Sequence, residues 1–166
     1  SDQGFYLGEH GWFDKRFIYD ESFKTPLLVR WPNEIKPGTT SDEMVQNLDF
    51  AQTFLEAAML EVPDDMQGES LMPLLKGNTK DWTREAVYYH YYEYPSVHMV
   101  KRHYGIINKE FKLVHFYYDV NEWELYDRKN DPNEMNNVYS NPDYKEVVEK
   151  LTQELKEMRI KYKDSK

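Results

Sequence analysis

The chain has 166 residues, 40% of them hydrophobic and 16% aromatic, enough for one domain or a small domain with part of another. A net charge of -9, with 30 acidic against 21 basic side chains, argues against sequence-independent nucleic-acid binding, which needs phosphate-neutralising Lys and Arg. The absence of cysteine excludes a disulfide framework, a thiolate zinc site and a thiol nucleophile within these residues, and no apolar run approaches membrane-spanning length.

In chain order, SDQGFYLGEHGWFDKRF (residues 1–17) crowds charged groups among glycines and aromatics. TPLLVRWP (25–32) is a short apolar run closed by Pro32 and reads as a buried strand. After a turn-rich loop, VQNLDFAQTFLEAAML turns helical at Asp49, which has the residue type of an N-cap. VPDDMQGESLMPLL predicts a loop and then a helical turn or two. From Glu85 the texture changes. EAVYYHYYEY, RHYGIINKE, FKLVHFYYD and EWELYDRK are short, aromatic, β-branched runs separated by turns, the pattern of about four antiparallel strands.

RKNDPNEMNN is irregular, and Asn141 followed by Pro142 is an N-cap with an N1 proline. Tyr144, Val147, Val148, Leu151, Leu155, Met158 and Tyr162 then recur at helical spacing. They predict one long helix over 141–163, lying on one face of the sheet. Residues 1–80 thus read as the C-terminal end of a larger α/β domain, too poor in strands to stand alone, with the opening segment following the edge of its sheet. Residues 81–166 read as a small α+β unit with its own core.

In the opening stretch Asp2 and Gln3 offer adjacent carboxylate and amide oxygens, the ligand type of hard cations such as Ca²⁺, followed by Gly4, which permits a sharp turn. Lys15 can hold a point positive charge near the same centre, and His10 can supply a proton. An ordinary Asp-Gln-Gly turn, a solvated Lys15–Arg16 pair and a satisfied loop histidine account for the same residues.

SDQGFYLGEHGWFDKRFIYDESFKTPLLVRWP resembles the C-terminal metal-and-sulfate motif of the type I sulfatases, members of the alkaline-phosphatase-like superfamily. VQNLDFAQTFLEAA, QGESLMPLLKG and ELYDRKNDPNEMNNV resemble later segments of that family. The resemblance implies an α/β domain joined to an α+β subdomain, Asp2 and Gln3 as Ca²⁺ ligands and Lys15 on the sulfate; His10, as a proton source, is the other candidate catalytic residue. GFYLGEHGWFDKRF with YHYYEYPSVHMVKRHYG is similar to bacterial enzymes acting on the 6-O-sulfate of N-acetylglucosamine in glycans. That similarity implies a sulfated carbohydrate substrate held by Asp14 and His98, with His90 and His103 as alternates. The competing account of these histidines is an aromatic-sheet environment in which each caps a backbone group. His115, alternating with apolar neighbours, reads as structural.

The family's nucleophile, a formylglycine made in a C/S-x-P-S/A-R motif, has no counterpart in these residues. The expectation is therefore a C-terminal sulfatase portion, silent without its N-terminal catalytic part, and periplasmic or secreted by family resemblance. A phosphomonoester or phosphonate hydrolase of the same superfamily and a non-catalytic carbohydrate-binding module are the two other readings. Gln3 argues against the first, because a zinc site there would want histidine.

Overall fold

The computed structural model describes residues 1–164. Packing divides the chain into two compact units, Ser1–Pro26 with Tyr88–Lys166, and Leu27–Val87. The opening segment thus belongs with the later sheet, a different partition from a division near residue 80.

Four strands, β3 (Ala86–Tyr91), β4 (His103–Asn108), β5 (Phe111–Phe116) and β6 (Glu122–Asp127), form one sheet in sequence order. The β4–β5 and β5–β6 ladders are antiparallel, in registers that place Gly105 opposite Val114 and Val114 opposite Glu124. Each predicted aromatic run became a strand, because β-branched and aromatic residues pack well on a pleated surface. Asn141 accepts a hydrogen bond from the Asp143 backbone N–H at 3.0 Å, capping a short 3₁₀ turn that leads into helix α4 (Lys145–Lys161). The stripe of α4 packs on β4 and β5, with Leu151 and Leu155 closed to solvent.

The other face of the sheet is covered by the opening segment. Phe17, Ile18 and Tyr19 are buried there, just ahead of the short helix α1 (Asp20–Phe23). The Tyr89 hydroxyl donates to the Arg16 carbonyl at 2.9 Å, Phe17 stacks on His103, and the Tyr19 hydroxyl donates to Glu124 at 2.8 Å. Gly105 lets Ile18 approach, since a Cβ there would meet Ile18 Cδ1 at 2.8 Å and the Leu113 carbonyl at 2.6 Å. Beneath this segment Lys112 is fully buried. Its ammonium reaches the Ile18 carbonyl at 2.9 Å, Asp20 at 2.8 Å and Glu134 at 2.5 Å, and Arg128 closes the network on Asp20 at 2.7 Å.

In the second unit, helices α2 (Asp49–Ala57) and α3 (Met72–Leu75) fall where the sequence places them. Asp49 is not an N-cap. Its carboxylate is fully buried, accepts from the backbone N–H groups of Gln46 (2.8 Å) and Glu69 (2.9 Å), and takes both guanidinium nitrogens of Arg84. A bidentate Arg partner thirty-five residues away outcompetes the local cap. Thr25–Pro32 is not a buried strand. It has no regular structure, and Leu28 is 93% exposed. A strand needs a neighbour for its ladder, and none pairs with this run among the described residues.

Candidate active site

The opening loop is held by its backbone. Gly4 N–H donates to the Ser22 carbonyl at 2.8 Å and Phe5 N–H to the Glu21 carbonyl at 2.9 Å. A Cβ on Gly4 would stand 1.9 Å from the Glu21 carbonyl oxygen. Gly4 is therefore required by close approach, not by the sharp turn that the sequence suggests. Beyond it, β1 (Tyr6–Leu7) pairs antiparallel with β2 (Phe13–Asp14), and Glu9 caps the intervening turn by accepting from Leu7 N–H at 2.7 Å.

This hairpin delivers Asp14, Lys15 and Arg16 in succession. Asp14 has φ 93°, a left-handed conformation that a non-glycine residue holds only under outside constraint. The constraint is visible in its partners: Asp14 Oδ2 lies 2.5 Å from Arg16 Nη1 and 3.1 Å from His98 Nδ1. Arg16 Nη2 lies 2.7 Å from His98 Nε2. A guanidinium is only a donor, so it fixes His98 as the tautomer that accepts at Nε2 and donates from Nδ1–H to Asp14. The three side chains form a closed, partly exposed triangle of carboxylate, guanidinium and imidazole. His98 comes from the β3–β4 loop, 84 positions on from Asp14 in the chain, so the sheet unit itself assembles this group.

Lys15 Nζ lies 3.9 Å from Asp2 Oδ2, and the Asp2 side chain is 83% exposed. Hydrogen bonding from its own backbone N–H, then the Lys15 charge, hold the Asp2 carboxyl below the usual carboxylate range. Lys15 thus sets a positive charge 3.9 Å from the Asp2 carboxylate, and Gln3 follows Asp2 in the chain.

The remaining histidines are placed elsewhere. His10 Nε2–H donates to Glu21 Oε2 at 3.2 Å, and its ring stacks on Tyr19 at 4.6 Å. That ties it into the hairpin's support. His90 lies on the α4 side of the sheet, its Nδ1 2.5 Å from Asp164 and its Nε2 2.6 Å from the Tyr117 hydroxyl, with both nitrogens engaged. His103 is fully buried among Phe17, Tyr91 and Phe116, and its Nδ1–H donates to the Lys101 carbonyl at 2.8 Å. Burial pushes its pKa down to about 4, so the ring is neutral, and it is enclosed where no hydroxyl can reach it. His115 is structural, accepting from the Tyr104 hydroxyl and donating to Asn121. Arg16, which the sequence left as a solvated cation, is the residue that reading missed. Its signal was the opposite charge of Asp14 two residues earlier in the chain.

The antiparallel sheet backed by a long helix is the fold found in the C-terminal part of alkaline-phosphatase-like sulfatases. A family model described as N-sulphoglucosamine sulphohydrolase, C-terminal, matches residues 8–161, and the chain belongs to that family. It is 55% identical over 99% of its length to an N-acetylglucosamine-6-O-sulfatase of Bacteroides thetaiotaomicron, of which it covers 30%. A solved structure in complex with its substrate D-glucosamine-2-N,6-O-disulfate superposes with TM-score 0.95 at 54% identity, covering 99% of this chain and 34% of that one. The phosphonate monoester hydrolase of Agrobacterium radiobacter shares the fold at TM-score 0.83 but only 26% identity, over 98% of this chain and 34% of its own. The chain thus spans about a third of the length of these relatives.

Proposed function

We propose that this chain is the part of a sulfatase that closes the metal site, holds the sulfate and reads the sugar, and that the enzyme removes the 6-O-sulfate of N-acetylglucosamine in glycans. The observation that carries the substrate is the 55% identity to an N-acetylglucosamine-6-O-sulfatase along nearly the whole chain. The phosphonate hydrolase reading has the same fold behind it and much less sequence similarity.

The donor set beside Lys15 fits calcium. A carboxylate kept ionised by its surroundings and a neutral amide are hard oxygen ligands, with no imidazole or thiolate to favour zinc. Asp2 and Gln3 would hold it, as two of the roughly six to eight oxygens that calcium takes. When bound, the cation would supply Lewis-acid polarisation of the sulfate. Lys15 contributes fixed positive charge where the sulfate's negative charge must be held, without reorganisation at the moment of reaction. The Asp14–Arg16–His98 triangle offers an acceptor on Asp14 and donors on Arg16 for the hydroxyls of the sugar carrying that sulfate. Its mutual hydrogen bonds hold these groups ready in one arrangement.

The test is sulfate release by the complete enzyme from N-acetylglucosamine-6-sulfate and from its 3-sulfate isomer. Release from the 6-sulfate alone is expected. Release from neither, or hydrolysis of a phosphonate monoester instead, would overturn the assignment.

A further inference from the structure

The end of the sheet where β3 and β5 finish and β4 begins carries a second group of side chains that the chemistry above does not use. Arg102, immediately before β4, lays its guanidinium 4.7 Å from the centre of the Tyr118 ring. Its Nε is closed to solvent and without a hydrogen-bond partner, and no carboxylate pairs with its guanidinium among the described residues. Tyr118 is nonetheless 70% exposed, and it is held at φ 82°, a left-handed conformation costly for a large side chain. Tyr92, just past β3, presents a half-exposed ring whose inner face stacks on His90 at 3.8 Å. His90 is itself fixed by Asp164 and Tyr117, so the Tyr92 ring rests on a braced support. Lys101 binds Asp119 and lies over the Tyr94 ring at 4.2 Å, which ties the β3–β4 loop to the β5–β6 turn. Tyr92 and Arg102 are the two ends of the loop that carries His98.

A half-buried guanidinium with no counter-ion, in a chain of net charge -9, is unfavourable unless an anion completes it. Exposed tyrosine rings with fixed faces suit the C–H faces of a sugar, and their hydroxyls suit its polar edge. We propose that Tyr92, Arg102 and Tyr118 form a subsite for a further anionic sugar unit, sulfated or uronic, of the same glycan chain whose 6-sulfated glucosamine is read by Asp14, Arg16 and His98. The inference rests on the glycan sulfatase reading and extends it from the sulfated sugar to a neighbouring unit of the chain.

Arg102→Ala and Tyr118→Ala in the complete sulfatase test it with two substrates, N-acetylglucosamine-6-sulfate and a tetrasaccharide in which 6-sulfated glucosamine alternates with uronic acid. Each variant should raise KM for the tetrasaccharide about fivefold or more, the scale of one lost charge-assisted or stacking contact, and leave the monosaccharide KM within about twofold. Equal effects on both substrates, or none on the tetrasaccharide, would overturn the subsite. Tyr118 is surface-exposed, so its variant keeps the test alive if Arg102→Ala unfolds. Calorimetric binding of the same tetrasaccharide and of its desulfated form, which keeps its carboxylates, then separates the two anions. Affinity lost on desulfation and insensitive thereafter to Arg102→Ala assigns a sulfate, and affinity retained and still sensitive to it assigns a uronate. If the wild-type enzyme fails to release sulfate from the monosaccharide, the functional reading fails, whereas the calorimetry still reports whether Arg102 binds an anionic glycan.

Discussion

Lys112 Nζ lies 2.5 Å from Glu134 Oε1, with side-chain exposures of 0% and 1%. One residue is in the middle of the sheet and the other in the irregular DPNEMNN stretch after it, and the Glu134 carboxylate also accepts from the Asp20 backbone N–H at 2.9 Å. This pair and Asp20 pin the opening segment to the sheet just after the residues that form the candidate site. Burial raises the Glu134 carboxyl against the pull of Lys112. At Asp20 burial acts the same way, but Lys112 and Arg128 outweigh it and hold the carboxyl low.

Removing one partner of such a group strands the other in the core. Lys112→Met should therefore lower stability by about 3–5 kcal/mol. Lys112→Met with Glu134→Gln should lose less than the two single variants summed, because the stranded charge is gone. Urea unfolding of the four proteins makes the comparison. A Lys112→Met loss under about 1 kcal/mol would mean that the pair is not buried in solution.

His103 gives the stability a pH dependence. Its folded pKa, about 4, lies below the ordinary value of 6.5, so the unfolded chain binds the proton more tightly. The contribution is fully present above about pH 6.5 and is lost as pH falls through that window toward 4. Between about pH 7 and about pH 5 the loss should be roughly 2 kcal/mol. His103→Phe, which keeps a ring in the stack, should lack that part of the slope. Identical pH profiles for the two proteins would place the histidine in contact with water.

Much of this architecture is legible in the sequence because its signals are local. Alternating aromatic strands, an Asn-Pro cap and a 3.6-residue stripe each depend on near neighbours, and all appear as expected. What the sequence hides is long-range pairing. Asp49 looks like a cap until Arg84 reaches it, Arg16 looks solvated until the His98 loop returns, and nothing local marks Lys112 as the lysine that Ile18 and Asp20 cover. The apolar run 25–32 fails differently: its composition is that of a strand, but a strand is a property of a pair. For the candidate site, Asp14 and His98 were singled out together and are brought together. His10 and His103 are engaged in holding the fold, and only three-dimensional packing distinguishes them from ligand-facing histidines.

Gly4 offers a check on the proposed calcium ligands that does not depend on turnover. With 1.9 Å between an added Cβ and the Glu21 carbonyl oxygen, Gly4→Ala must push the Asp2–Gln3 segment away from its strap. In the complete enzyme calcium affinity should fall roughly tenfold or more, as when groups that orient metal ligands are disturbed. Calorimetry with calcium alone measures it. Unchanged affinity would remove Asp2 and Gln3 from the ligand set.

We propose that Lys15 holds the sulfate and that the adjoining Asp14–Arg16–His98 triangle reads the sugar. The most direct measurement is kcat/KM of the complete enzyme and its His98→Ala variant on N-acetylglucosamine-6-sulfate and on a small aryl sulfate without a sugar. Removing His98 leaves the Asp14–Arg16 pair without the third side that holds its arrangement, and hydroxyls that meet misplaced groups lose about 1–3 kcal/mol of discrimination. The account predicts a loss of about tenfold or more on the sugar and less than about twofold on the aryl sulfate. Equal losses on both substrates would contradict it.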